Sequence, residues 1–244
     1  MSAPRFFVDA TLEPGARLAL PERAAHHALR VLRLVHGVPL VLFNGRGGEA
    51  RARLTVEGQQ AWADIVQWDA IERESTLDLT LIQALVATDK LDWVVEKATE
   101  LGVARIVLAP AARSVVRLNA ERLERRLAHW REIALAACAQ CGRNRVPQIL
   151  AAVSLGAACA ASAARHRHVL APAASGALLS AAPGDSIAFA VGPEGGFTAD
   201  EIETARTAGF AALSLGPRVM RTETAGLAAL AACQALAGDW GRSG

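Results

Sequence analysis

The chemistry open to this chain concentrates in six residues: Gly192, Pro193, Glu194, Gly195, Gly196 and Phe197. They follow an apolar stretch, 186–191, and precede Thr198-Ala199-Asp200-Glu201. That Thr-x-x-Glu spacing is a helix capping box with Thr198 as the N-cap. A glycine loop between a strand and a helix lets a ligand approach bare backbone N–H and C=O groups. In an open α/β sheet, ligands bind at the carboxyl ends of the strands, where such a loop lies. A tight turn alone needs fewer than three glycines and a proline in six residues, so a ligand loop is the better reading. It lacks the Lys-Ser/Thr of a phosphate loop and the G-x-G-x-x-G of a dinucleotide fold. A second loop, Gly216-Pro217-Arg218-Val219-Met220-Arg221-Thr222-Glu223-Thr224-Ala225, follows the strand candidate 211–215. Alone it reads as a charged, solvated loop. Beside the first, it reads as the opposite wall of one pocket, with Arg218, Arg221 and Glu223 projecting from it.

Positioning two such loops takes strands that alternate with helices. Strands are expected at 77–84, 104–108, 168–170, 186–191 and 211–215, and helices at 89–101, 121–140, 198–208 and 224–237. The Ala-rich stretch 151–164 is compatible with helix. This alternation predicts a mainly parallel sheet covered on both faces. Before it, 38–43 and 50–56 flank Asn44-Gly45-Arg46-Gly47-Gly48-Glu49, a hairpin signal. A further strand is expected at 60–67. Ala25, Leu29, Leu32 and Val35 share one side of a helix over 21–35. The result is a small barrel-like β domain, 1–72, and an α/β domain, 73–244, divided at the charged break Glu72-Arg73-Glu74-Ser75.

The chain has 244 residues, 52% hydrophobic and 20% charged, enough for a sizeable core and too apolar for global disorder. Its net charge of +2 conceals segregation. Segment 17–53 carries seven Arg against Glu22 and Glu49, and 113–145 carries eight Arg against Glu121, Glu124 and Glu132. Each is +5, so the remainder is −8. Such clusters in both domains favour a long polyanion over a small ligand. That the cations are Arg, 24 against Lys90 and Lys97 alone, reads as the bias of a GC-rich genome. The first residues lack the apolar run of a signal peptide, and the uncharged run 146–164 is too Ala-rich to cross a membrane. Four cysteines in this length make no disulfide scaffold, so a cytoplasmic protein is expected. Cys138-x-x-Cys141 has no second pair and lies at the end of an amphipathic helix, which argues against a metal. His26-His27 reads as surface or RNA-facing, Trp93 and Trp130 as core or interface, and His166-x-His168 lacks an acidic partner nearby in sequence.

Taken in order, these residues resemble a known family. The matching elements are Phe6-Phe7-Val8, His26-His27-x-x-Arg30-Val31-Leu32-Arg33 and Asp92-Trp93-x-x-Glu96-Lys97-Ala98-Thr99-Glu100-Leu101-Gly102. Further along come Arg113-Ser114-Val115, Gln140-x-x-Arg143 with Val146-Pro147, the loop 192–197, Leu215-Gly216 and Arg221-Thr222-Glu223-Thr224-Ala225. The set spans nearly the whole chain. It resembles the bacterial enzymes of the SPOUT superfamily that methylate N3 of a uridine in small-subunit (16S) ribosomal RNA.

The resemblance implies a PUA-like RNA-binding barrel followed by an α/β sheet whose C-terminal part is tied in a trefoil knot. It implies S-adenosylmethionine as cofactor, lined by Gly192, Pro193, Glu194, Gly195 and Gly196 on one side and Leu215, Gly216, Val219, Met220 and Thr224 on the other. It also implies a homodimer acting on ribosomal RNA in an assembled or assembling 30S subunit. RNA contacts are expected from Arg17, His26, His27, Arg30, Arg33, Arg113, Arg117 and Arg143. The family usually has Glu before the glutamine matching Gln140, where this chain has Ala139, so no carboxylate can act there. For the chemistry, Arg221 and Arg113 are expected to orient the base, and Glu223 or Glu194 to help with the N3 proton. Rival readings are a SPOUT ribose 2′-O-methyltransferase, separable by digesting the product RNA to nucleosides, and a non-enzymatic RNA-binding or ribosome-assembly protein, separable by cofactor binding.

Overall fold

A computed structural model describes residues 3–58, 60–116, 119–174 and 181–240. The chain divides into two compact units, Met1–Glu74 with Cys138–Val146, and Ser75–Ala137 with Pro147–Gly244.

The first unit holds β1 (Arg5–Phe7), β2 (Arg17–Ala19), α1 (Glu22–His26), β3 (Pro39–Phe43), β4 (Glu49–Glu57) and β5 (Gln60–Asp69). Their order in the sheet is β1-β3-β4-β5-β2, with β1 parallel to β3 and the other pairs antiparallel. No ladder joins β1 to β2 among the described residues, so the expected barrel-like domain is, by its hydrogen bonds, a five-stranded sheet with two edges. Strand β4 alternates buried Ala50, Ala52 and Leu54 with exposed Arg51 and Arg53, the period-two pattern of a half-buried strand. These side chains meet Phe6, Leu40, Leu42, Ala63 and Ile65 in one core. The helix expected over 21–35 is shorter. After α1 the backbone widens into a π-type turn, His27–Val31, and Arg33 takes a positive φ of 52° that ends it.

Segment 138–146, assigned by the sequence to the second domain, belongs with the first. Asn144 explains why. Its amide donates to Glu49 at 3.3 Å and to the Ile71 carbonyl at 2.7 Å, and its Oδ1 accepts from Arg5 at 2.6 Å. Arg143 donates to Glu74 at 2.6 Å and Arg73 to the Gly142 carbonyl at 3.0 Å. Buried polar groups need partners, and these partners lie in the first 74 residues.

The second unit runs β6 (Asp78–Ala84), α2 (Thr88–Glu100), β7 (Arg105–Ala109), α3 (Ala120–Cys141), β8 (Gln148–Ala151), α4 (Leu155–Ala160), β9 (His166–Leu170), β10 (Ser186–Val191), α5 (Ala199–Thr207), β11 (Ala211–Leu213) and α6 (Thr222–Leu236). The last turn of α3 falls within Cys138–Val146 of the first unit. All five strand pairings are parallel, in the order β11-β9-β10-β6-β7-β8. The central strands β6 and β10 are buried along nearly their whole length, as strands covered on both faces must be. Leu155, Ala158 and Cys159 of α4 and Ala205 of α5 pack with Ile82, Ala188 and Ala190 on one face. Helix α6 packs with α2 and against β10 and β6. No described helix is long and apolar enough to cross a membrane.

Candidate active site

Parallel strands point their C-terminal ends the same way, and four adjacent ones build the site. The segments after β9, β10 and β11 line a cavity of about 690 Å³, joined by Lys90 from the first turn of α2, the helix that follows β6. Its walls include Leu170–Pro172, residues 192–197, Leu213–Leu215 and residues 218–223. Apolar side chains from Val191, Ile202, Leu213, Leu215, Val219 and Met220 supply much of the surface.

The glycine loop is held at several points. Thr198 caps α5 by accepting from the Glu201 N–H at 3.2 Å, while Glu201 Oε2 accepts from the Thr198 N–H at 2.9 Å. This is the reciprocal capping box that the sequence spacing predicts. Glu201 Oε1 also accepts from the Ala112 N–H at 2.7 Å, which brings the loop after β7 alongside. From there Arg113 donates to the Gly195 carbonyl at 2.7 Å. Inside the loop, a Cβ on Gly192 would stand 3.0 Å from the Phe197 nitrogen, so a side chain there would push the loop backbone aside. On the facing wall Gly216 has φ of +111°, a conformation L-residues rarely adopt.

A buried polar relay ties the walls together. Thr222 Oγ1 donates to the Gly192 carbonyl at 2.6 Å and accepts from Gln83 Nε2 at 3.0 Å. Gln83 lies at the end of β6 and is fully buried. At the rim, Lys90 Nζ donates to Glu194 Oε1 at 2.8 Å and lies 3.8 Å from Glu223 Oε2, an atom with no hydrogen-bond partner. The Lys90 ammonium beside Glu194 holds that carboxyl below the usual carboxylate range. Arg221, exposed, sits 4.0 Å from Glu223.

Most of the residues expected to line a pocket are thus brought together: Gly192, Pro193, Glu194, Gly195, Gly196, Leu215, Val219, Met220, Arg221 and Glu223. Two are not. Gly216 shapes its loop without lining the cavity, and Thr224 is exposed. The reason is helical spacing. Thr222 and Ala225, three apart, face inward, and Thr224 is turned away between them. Arg113 contacts the back of the glycine loop instead of the cavity. Lys90 and Thr222 were missed as site residues. The signal for Lys90 was its rarity, one of two lysines among 26 basic residues.

In the first unit, the residues expected to meet RNA separate into two kinds. His26, His27, Arg30 and Arg33 lie exposed along α1 and the turn after it, with the His27 ring edge-on to Phe6. Arg17 is engaged by Asp64 at 2.7 Å and Glu57 at 2.8 Å. Arg143 is corrected to a structural role. Its side chain is 5% exposed and paired with Glu74, so it offers no free guanidinium to a phosphate. Arg117 lies outside the described residues, and Arg113 is exposed. Ala139 is half-buried in the last turn of α3. Cys138 donates to the Arg145 carbonyl, and burial pushes its thiol up to about 12. His166 does find an acid, Asp185 at 3.1 Å, through strand pairing. Trp130 is buried and donates to Asp92 at 3.0 Å, whereas Trp93 is half-exposed beneath Lys97.

A parallel sheet with paired loops around one cleft, attached to a small β unit, defines a class once sequences are compared. Residues 73–234 match the family described as an RNA methyltransferase domain, and residues 20–65 match the RNA methyltransferase PUA domain. The chain belongs to the ribosomal RNA small subunit methyltransferase E family. It is 30% identical to the Bacillus subtilis member over 93% of this chain and 94% of that one. It is 31% identical to the Mycobacterium bovis member over 100% and 95%. The Neisseria gonorrhoeae member, solved with S-adenosyl methionine bound, superposes with a TM-score of 0.90 at 39% identity, covering 98% of this chain and 100% of that one. A Legionella pneumophila methyltransferase solved with bound SAM gives a TM-score of 0.91 at 34% identity over 98% and 100%.

Proposed function

We propose that this protein uses S-adenosylmethionine to methylate N3 of a uridine in small-subunit ribosomal RNA. The observation that carries this reading is the cavity between residues 192–197 and 213–223, in a chain whose relatives bear that family name and bind that cofactor. The residues present fit the cofactor. About 690 Å³ with largely apolar walls suits an adenine and the carbon chain beside the sulfonium, and the glycine loop lets the ligand approach the backbone closely. Gly192, Gly195, Gly196, Leu215, Val219 and Met220 would hold it. When bound, it supplies a methyl group on a sulfonium, ready for in-line displacement.

The remaining chemistry falls to the protein. Uracil N3 carries a proton that must leave as the new N–C bond forms. Glu194 is committed to Lys90 and ionised, whereas Glu223 has an oxygen without a hydrogen-bond partner, so Glu223 accepts the proton. Arg221 stabilises the charge that develops on the uracil oxygens. Arg113 braces the glycine loop through Gly195. The exposed cluster His26, His27, Arg30 and Arg33 engages RNA phosphates, and the target base is unpaired or extruded to reach the cleft.

Three further properties belong to this reading. The second unit is of the SPOUT type with a trefoil-knotted C-terminal part. Supporting it, the chain leaves the sheet edge at β11 yet returns to pack α6 on β10 and β6, bonding Thr222 to Gly192. The protein acts as a homodimer, with exposed Leu236 at the end of α6 and Trp240 just beyond it as apolar side chains a second copy would cover. Its substrate is the RNA of an assembled or assembling 30S subunit, which places it in the cytoplasm. The test is mass spectrometry of nucleosides from small-subunit RNA of cells with and without the gene. Loss of one 3-methyluridine is expected, and loss of a 2′-O-methylated nucleoside instead would overturn the base assignment. In vitro, Arg221→Ala and Glu223→Gln should each lower methyl incorporation at least ~100-fold. Wild-type turnover in both would remove these roles.

A further inference from the structure

The cavity has two walls and one ammonium group that reaches both. Lys90 stands in the first turn of α2, the helix after β6. Its Nζ donates to Glu194 in the loop after β10 and lies 3.8 Å from Glu223 in the first turn of α6. Lys90 and Glu223 are largely shielded from water, with side chains 26% and 18% exposed. The glycine loop already has two other attachments, Arg113 on Gly195 and Thr222 on Gly192, but both hold backbone carbonyls. Lys90 alone among the described residues holds the loop by its acidic side chain. It also fixes where that negative charge sits relative to Glu223.

We propose that Lys90 is a positioning residue that clamps the loop 192–197 to the start of α6 and sets the spacing of the two pocket walls. This deepens the methyltransferase reading and rests on it for its catalytic consequence. Both walls would hold the donor, and the wall after β11 also carries Arg221 and Glu223, so the spacing controls the approach of the reacting atoms. A small misplacement of aligned groups costs rate far more than it costs binding. Without the ammonium, Glu194 and Glu223 face each other as like charges and the walls part.

The clamp can be read without any reaction. Hydrogen exchange of backbone amides in 192–197 and 214–223 should quicken at least ~5-fold in Lys90→Gln and return close to the wild-type rate in Lys90→Arg. Methyl transfer then reads the consequence. Lys90→Gln should lose ~10–100-fold in kcat while KM for S-adenosylmethionine changes less than ~3-fold, and Lys90→Arg should recover most of the loss. Lys90→Gln/Glu194→Gln should be no slower than the slower single variant, since the two side chains act as one unit. Unchanged exchange in both loops of Lys90→Gln would overturn the clamp, whatever the reaction proves to be. Additive losses in the double variant, or a loss confined to KM, would do the same. Altered exchange in a protein that methylates no uridine would uphold the clamp and refute the functional reading alone.

Discussion

Replacing Thr222 with valine keeps nearly the same shape and deletes one hydroxyl, but that hydroxyl makes two buried hydrogen bonds. It donates to the Gly192 carbonyl at 2.6 Å and accepts from Gln83 Nε2 at 3.0 Å. Gln83 is fully buried, its Oε1 has no hydrogen-bond partner, and its amide nitrogen would keep only the Ala84 carbonyl at 3.3 Å. Each hydrogen bond is worth about 1 kcal/mol net, and a buried group left without a partner costs about 1–3 kcal/mol more. Thr222→Val should therefore destabilise the second unit by about 3 kcal/mol. For a domain of this size that lowers Tm by about 6–12 °C, measurable by calorimetry. Thr222→Ser keeps the oxygen and should lose about 1 kcal/mol or less. Gln83→Leu/Thr222→Val should be more stable than Thr222→Val alone, because removing both partners spares the orphaned amide. A loss under about 0.5 kcal/mol in Thr222→Val, or an equal loss in Thr222→Ser, would refute the reasoning.

Two further predictions concern the glycine loop and the first unit. Gly192→Ala puts a methyl 3.0 Å from the Phe197 nitrogen, so the loop must shift, and titration calorimetry should show S-adenosylmethionine affinity reduced at least ~10-fold. Burial pushes the Glu49 carboxyl up, but Arg73, Arg5 and Asn144 outweigh it and hold it at about 2, well below its ordinary 4.5. A depressed folded-state pKa means its stabilisation is present above pH 4.5 and is lost as pH falls through about 2. Glu49→Gln should abolish this dependence of first-unit stability over that window, as followed by acid unfolding, and should leave Arg5 buried without its counter-charge.

What the sequence made legible follows from how local each signal is. Apolar runs such as 186–191, the hairpin glycines after Asn44 and the Thr198–Glu201 capping box are written within a few consecutive residues. The three-residue strands β1 and β2 are too short to carry a period. Strand β8 hides in an uncharged, Ala-rich run whose composition favours helix. The apolar spacing over 21–35 continues past the point where the Arg33 backbone turns, so periodicity alone makes the helix too long. At the site, backbone-lined positions were legible because glycine is informative by itself. Lys90, Thr222 and Gln83 were not, because their meaning depends on β6 lying beside β10, a pairing 108 residues apart in register. Arg143 misled for the same reason. Its partner Glu74 is 69 residues away, and a buried arginine looks in sequence like an exposed one.

The contribution of Cys138–Val146 to the first unit bears on how the chain matures during synthesis. The first 74 residues leave the ribosome without Asn144, which satisfies Glu49, Arg5 and the Ile71 carbonyl, and without Arg143, the partner of Glu74. At roughly 5–20 residues per second, about 4–14 s pass before residue 146 follows residue 74. During that interval Glu49 keeps Arg5 and Arg73, but the Ile71 carbonyl lacks its Asn144 donor and Glu74 its Arg143 partner, and α2, β7 and most of α3 are made while they wait. The N-terminal unit is thus first to begin and late to finish. Cutting the gene at residue 72 or 74 would yield a fragment arrested at that unfinished stage, whereas one carrying 138–146 through a linker could complete itself.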